Sequence, residues 1–165
     1  MDFDRMHYLD ASVLVKLLVK EEGSDVVEEY MSREYTSAFK TTSLCFGEAL
    51  GVLKLKYVSK KRHDHIDQET YLTAVDELRA YLENGRIELV DVGISDSGVF
   101  AKVEETARRH ALDISDAYQI VSIQEDYFSK FSDAKPILIT ADNELAKAAL
   151  KENLRVWDCI REKAP

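Results

Sequence analysis

Two short apolar segments, each closing on an aspartate, constrain this chain more than any other feature. Residues 6–9 run into Asp10, and Ile137-Leu138-Ile139-Thr140 runs through Ala141 into Asp142. Short runs bounded by turn signals read as buried strands, and the longer periodic stretches that follow them read as helices. Further strands are expected at 35–38, 87–90 and 154–157. Helices are expected at 12–20, 24–31, 41–58, 67–83, 95–110, 113–127 and 142–151, with a loop at 128–135. Ser24, Ser95 and Asp113 are candidate caps, and Asn84-Gly85 is a stop signal. Strands alternating with helices predict an α/β layered fold on a mainly parallel sheet. In such sheets ligands bind beyond the carboxyl ends of the strands, so residues that follow strands are the first candidates for chemistry.

Asp10 and Asp142 occupy such positions. Each also precedes a helix, where an aspartate caps free N–H groups, and for either residue alone capping suffices as an explanation. The pair is harder to explain that way. Glu48 falls inside the 41–58 helix, in line with Leu44, Val52 and Leu55 and near Gly47 and Gly51, which would permit another backbone to approach. It is either a carboxylate held in an apolar stripe, costly unless paired or metal-bound, or a residue at the rim of that stripe. Asp116 has Ile120 and Ile123 on its helical face. With Asp113 it also fits a capping box carrying Asp in place of Glu or Gln.

Taken together, the acids pose an electrostatic constraint. Three or four carboxylates converging in one crevice raise each other's pKa, and a divalent cation removes that penalty. An all-oxygen donor set suits Mg²⁺ or Mn²⁺, which keep bound waters and polarise phosphate esters. Such an ion also answers an objection from charge. The chain carries a formal net charge of −9, whereas nucleic-acid binders that work by charge alone are basic. A bound cation bridges an acidic site to an anionic substrate.

With these residues in place, the sequence resembles the PIN-domain ribonucleases. Tyr8-Leu9-Asp10-Ala11-Ser12 looks like their opening strand and helix, and Phe46-Gly47-Glu48-Ala49-Leu50 like their second acidic motif. Leu112-Asp113-Ile114-Ser115-Asp116 resembles the third and Leu138-Ile139-Thr140-Ala141-Asp142 the fourth. Leu154-Arg155-Val156-Trp157 resembles the last strand. The motifs span nearly the whole chain in the family's order. The resemblance implies a three-layer α/β/α sandwich and Mg²⁺- or Mn²⁺-dependent cleavage of RNA. It makes Asp10, Glu48, Asp116 and Asp142 the catalytic and metal-holding set, with Ser12 and Thr140 as supporting hydroxyls and Asp113 as an additional acid. Many compact members are VapC-type toxins, usually homodimers inhibited by an antitoxin that enters the acidic cleft. The charged stretch 54–83 is longer than in the smallest of them.

Other features bound the function. At 165 residues, 45% hydrophobic and 32% charged, a single globular domain over residues 1–165 is expected. No apolar run is long enough to span a membrane. Cys45 and Cys159 have no metal-ligand spacing and read as buried free thiols in a reducing cytoplasm. Lys54, Lys60, Lys61 and Arg62 belong to the main basic cluster, either RNA-contacting or a solvated helix end. Alternatives are an RNA-processing nuclease outside a toxin pair and a non-catalytic PIN-like scaffold. A haloacid-dehalogenase-type phosphotransferase needs a second acid where Ser12 stands, and a receiver domain needs a paired acid near the first strand.

Overall fold

A computed structural model describes residues 5–126 and 136–165. In chain order its elements are β1 (Met6–Leu9), α1 (Ala11–Leu18), α2 (Ser24–Arg33), β2 (Ala38–Thr41), α3 (Ser43–Val58), α4 (Gln68–Glu83), β3 (Ile87–Leu89), α5 (Ser97–His110), α6 (Ile114–Glu125), β4 (Ile137–Thr140), α7 (Asn143–Lys151) and β5 (Arg155–Asp158). The strands form one all-parallel sheet in the order β3-β2-β1-β4-β5. Helices intervene between successive strands, as parallel pairing requires of a crossover.

Side chains alternate between the two faces of the sheet. Leu9, Ile137 and Ile139 pack with α1 to α4, while Met6, Tyr8 and Leu138 pack with α6 and α7. The central strands are therefore covered on both sides, which is why they read as unbroken apolar runs. Helix α5 is an outer layer on α6, joined through Val103, Ala107, Ala117 and Val121. The result is the expected α/β/α sandwich. His7, the one polar residue of β1, is buried. Its Nε2 meets the Tyr30 hydroxyl at 2.8 Å, its ring stacks on Phe39, and burial lowers its pKa to about 4, so it is neutral.

Most boundaries shift by a residue or two, and three differences bear on pairing, capping or helix length. The strand expected at 35–38 lies at Ala38–Thr41. Glu34 and Ser37 instead close a turn after α2, the Ser37 N–H donating to the Glu34 carbonyl at 3.0 Å. Lys40 interrupts the apolar pattern but is buried within the strand, where its ammonium meets Asp126 at 2.9 Å. Helix α5 is capped by Asp96, not Ser95; its carboxylate accepts from the N–H groups of Gly98 and Val99. Helix α6 ends at Glu125, short of the expected 127. The loop expected at 128–135 lies outside the described residues. Cys45 and Cys159 are buried free thiols, as expected. Among the described residues, no helix is long and apolar enough to cross a membrane.

Leu9 is fully buried in the central strand, whereas Leu55 projects from α3 into solvent. Leu9→Ala should destabilise the protein by about 2–5 kcal/mol, and Leu55→Ala by less than about 0.5 kcal/mol, in urea denaturation.

Candidate active site

The chain leaves β1 toward β2 on one side and later returns to place β4 on the other. This reversal of strand order opens a crevice at the carboxyl ends of β1 and β4. Asp10 is the first residue beyond β1, and its N–H donates to the Ile139 carbonyl at 3.1 Å. Its carboxylate is almost fully buried. One oxygen, Oδ2, accepts from the Ser12 hydroxyl at 2.5 Å, the Thr140 hydroxyl at 2.9 Å and the Ser12 N–H at 3.3 Å. Ser12 Oγ accepts in turn from the Ala141 N–H at 3.0 Å, and Thr140 Oγ1 from the Asp142 N–H at 2.9 Å. The two hydroxyls thus fasten the end of β1 to the loop after β4.

Asp142 caps α7, but both cap bonds, from the N–H groups of Glu144 (2.7 Å) and Leu145 (3.0 Å), fall on Oδ1. Capping therefore engages Oδ1 of this carboxylate. Asp113 stands at the cap position of α6, yet its side chain makes no cap hydrogen bond, so the expected capping box with Asp116 lacks that half. Asp116 is half-buried one turn into α6.

Of the two readings of Glu48, the rim is the one observed, although the stripe is not the expected Leu44, Val52 and Leu55. The buried stripe of α3 is Cys45, Ala49, Leu53 and Lys56, with Leu44 and Leu55 exposed. Glu48 therefore projects from the rim and not from an apolar stripe. Nothing lies within 4 Å of a Cβ placed on Gly47 or Gly51, so the close backbone approach expected there is not made.

Asp10, Glu48, Asp113, Asp116 and Asp142 all line one cleft of about 270 Å³. Their charges interact. Burial first, then Asp10, Asp142, Glu48 and Asp113, push Asp116 up to about 7. Glu48 is raised by desolvation of its carboxyl and by Asp10, Asp113 and Asp142, against a hydrogen bond from Ser115 that pulls the other way. Burial raises Asp10, opposed by its bonds from Ser12 and Thr140. The acids singled out from scattered motifs are neighbours.

The basic cluster divides differently from expectation. Arg62 lines the cleft, whereas Lys54, Lys60 and Lys61 do not. The Lys54 ammonium lies 5.2 Å and 5.4 Å from the ring centres of Tyr57 and Tyr71. Lys56 is buried and ion-paired, unlike the solvated cation its sequence neighbours suggest. Glu21 and Asp64 also line the cleft and carry no motif that would have marked them.

Among the described residues, no group of three or more His, Cys, Asp or Glu side chains is arranged to hold a metal ion directly. The donor set is nonetheless all oxygen and self-repelling. It fits a hard divalent cation that takes one or two carboxylates and keeps its remaining waters, the usual habit of Mg²⁺, better than a closed protein cage.

The PIN domain family model matches residues 7–151, from β1 to the end of α7, and so includes every acid of this cleft. The chain belongs to the PIN-domain family. PIN domains are generally nucleases and typically bind divalent metals. The fold is also similar to the crystal structure of PAE2754 from Pyrobaculum aerophilum. The TM-score is 0.55 at 17% identity, covering 90% of this chain and 87% of that one, a likeness of fold alone. No curated protein matches the sequence.

Crowded charge in this PIN domain has a thermodynamic signature. A carboxyl whose pKa is raised on folding binds protons more tightly when native, so its contribution to stability falls as pH rises. For Asp116 the window runs from about pH 4, its ordinary range, to about 7. Asp116→Asn should therefore raise the melting temperature at pH 8 in chelator. The gain should shrink toward pH 4, and Mg²⁺ or Mn²⁺ should raise the melting temperature of the wild type more than that of the variant. Calorimetric scans across pH, with and without the ion, check this.

Proposed function

We propose that this chain is a Mg²⁺- or Mn²⁺-dependent ribonuclease that hydrolyses RNA phosphodiester bonds. The supporting observation is the convergence of Asp10, Glu48, Asp116 and Asp142, with Asp113, on one cleft at the sheet's switch point, where the neighbouring charges help raise the pKa of Glu48 and Asp116. When bound, the divalent ion polarises the phosphodiester and makes a water a stronger nucleophile.

The chain's own residues supply the rest. Asp10 is the fixed anchor: its Oδ2 is committed to Ser12 and Thr140, so the carboxylate cannot rotate away. Asp116 and Asp142 face the same cleft from α6 and the start of α7; of these two and Asp10, one or two carboxylates would hold the ion directly and the rest would bind its waters. Glu48, at the rim of α3 with its pKa raised, is placed to accept a proton at its carboxylate from the attacking water. Asp113, exposed at the mouth, adds negative charge that strengthens cation binding. Thr140 and Ser12 hold Asp10 in position and need not touch substrate.

The finer reading is the toxin half of a toxin–antitoxin pair, acting as a homodimer. It is supported by the resemblance to compact VapC-type members and by the chemistry of the cleft. A partner polypeptide that blocks five clustered acids needs only to insert a cationic side chain, which replaces the divalent ion as counter-charge.

Incubation with single-stranded and structured RNAs in Mn²⁺ or Mg²⁺ tests the activity. Cleavage should disappear in EDTA and fall to background in Asp10→Asn and Asp116→Asn. Ser12→Ala should retain activity reduced by roughly 10–100-fold, the usual loss when an outer partner of a metal-binding group is removed. Cleavage that survives chelation, or full activity in both Asn variants, refutes the proposal.

A further inference from the structure

The end of the cleft away from the acids is built from opposite charge. Buried Lys16 donates to Glu21 Oε1 at 2.7 Å, and buried Lys56 donates to Glu21 Oε2 at 3.0 Å and to Asp64 Oδ2 at 2.7 Å. Arg62 closes the chain, its Nε and Nη2 donating to the two Asp64 oxygens at 2.7 Å and 2.9 Å. Three cations against two carboxylates leave this network with one net positive charge. Elsewhere the lining of the cleft carries only acids and uncharged residues.

The network has fixed and movable parts. Lys16 and Lys56 are each 6–7% exposed at the side chain, so releasing either from its carboxylates would strand a buried charge. Burial pushes the Glu21 carboxyl up, but bonds from both lysines outweigh that and bring it below its usual range. Arg62, by contrast, is 42% exposed at the side chain. Its pairing with Asp64 is a surface contact, cheap to exchange for another anion. A guanidinium fork bonded to both oxygens of a carboxylate presents the geometry it uses for the paired oxygens of a phosphodiester.

Position selects the ligand. Glu48, Val52 and Lys56 share one face of α3 at four-residue spacing, and all three line the cleft. At 1.5 Å per residue, Glu48 and Lys56 are about 12 Å apart along the helix. A strand whose reacting phosphate lies among the acids therefore places another phosphate, not the reacting one, near the cationic end.

Resting on the nuclease reading above, we propose that Arg62 is the binding residue for a backbone phosphate flanking the cleaved bond. Asp64 holds the guanidinium as an internal stand-in until RNA displaces it. The Lys56–Glu21–Lys16 relay anchors Asp64, so that the arginine moves and the carboxylate stays. Lys60 and Lys61, neighbours in sequence but outside the cleft, take no comparable part.

Fluorescence anisotropy with a short fluorescein-labelled single-stranded RNA of random sequence, in EDTA across a KCl series, tests binding without cleavage. Arg62→Gln should weaken binding and flatten the log–log salt slope by about 0.7, the value for one lost phosphate contact on a single strand. Arg62→Lys should retain the slope while losing part of the affinity. Asp64→Asn, which removes the competing carboxylate, should tighten binding several-fold at low salt. A thermal melt verifies that Lys56 tolerates its loss, and Arg62→Gln decides the question where it does not. The proposal is overturned if Arg62→Gln leaves the salt slope unchanged, if Lys61→Gln costs as much, or if the wild type does not bind the RNA. Intact binding effects with no cleavage in Mg²⁺ or Mn²⁺ would sink the ribonuclease reading alone.

Discussion

The Asp10 carboxylate, buried at the seam of β1 and β4, is the interaction on which the site depends. A desolvated carboxylate in a sheet of Ile, Leu and Val is costly, and two hydroxyls offset that cost. The two come from opposite ends of the chain, Ser12 next to Asp10 and Thr140 130 residues away. The same hydroxyls accept from the N–H groups of Ala141 and Asp142. A single polar knot therefore closes the β1–β4 seam, orients the first acid and sets the start of α7 from which the last acid projects. Losing either hydroxyl would loosen structure and site together.

Around that knot, charge is separated along the cleft. The acids cluster where the strand order reverses, and among the described residues none of the five is ion-paired, although Arg161 feels the charge of Asp142. The lysines that could have relieved their repulsion, Lys16 and Lys56, are instead neutralised by Glu21 and Asp64 toward the other end. This arrangement costs stability in the metal-free protein. It keeps the acidic end open for an external cation, whereas a lysine reaching Asp116 would have stabilised the fold and closed the site. The net charge of −9 is therefore compatible with an anionic substrate, since what the substrate meets is a local sequence of potentials and not the average over the surface.

The legible and illegible parts of the sequence divide along the range of the forces involved. β1 and β4 were readable because both of their faces are buried, which leaves an unbroken apolar run. Asp10 and Asp142 were readable because strand ends are where such folds expose chemistry. Asp113 and Asp116 were ambiguous, since capping and ligation place an aspartate at the same spot; only the missing cap bond of Asp113 separates them. Glu48 was open between an apolar stripe and its rim, and the stripe itself lies on the Cys45 face and not on the Leu44 face. α3 carries apolar residues around much of its circumference, so its periodicity points in no single direction, and the choice between the Leu44 and Cys45 faces is made by packing against α1 and α4.

Lys56 and Glu21 mark a limit of a different kind. Nothing local distinguishes Lys56 from Lys54 or Lys60, and a lysine in a basic run is ordinarily solvated. It is buried because α3 turns that position toward α1, and burial is tolerable because Glu21, 35 residues earlier, and Asp64, beyond the helix end, converge on the same ammonium. No segment contains enough information to predict such a triad, because each partner is acceptable on its own as a surface charge. Pairwise motifs find acids that sit where the backbone puts them. Networks whose members are individually unremarkable emerge only from the packing of helices, and for that reason the buried lysines of the cationic wall were hidden while Arg62 and the acidic wall were not.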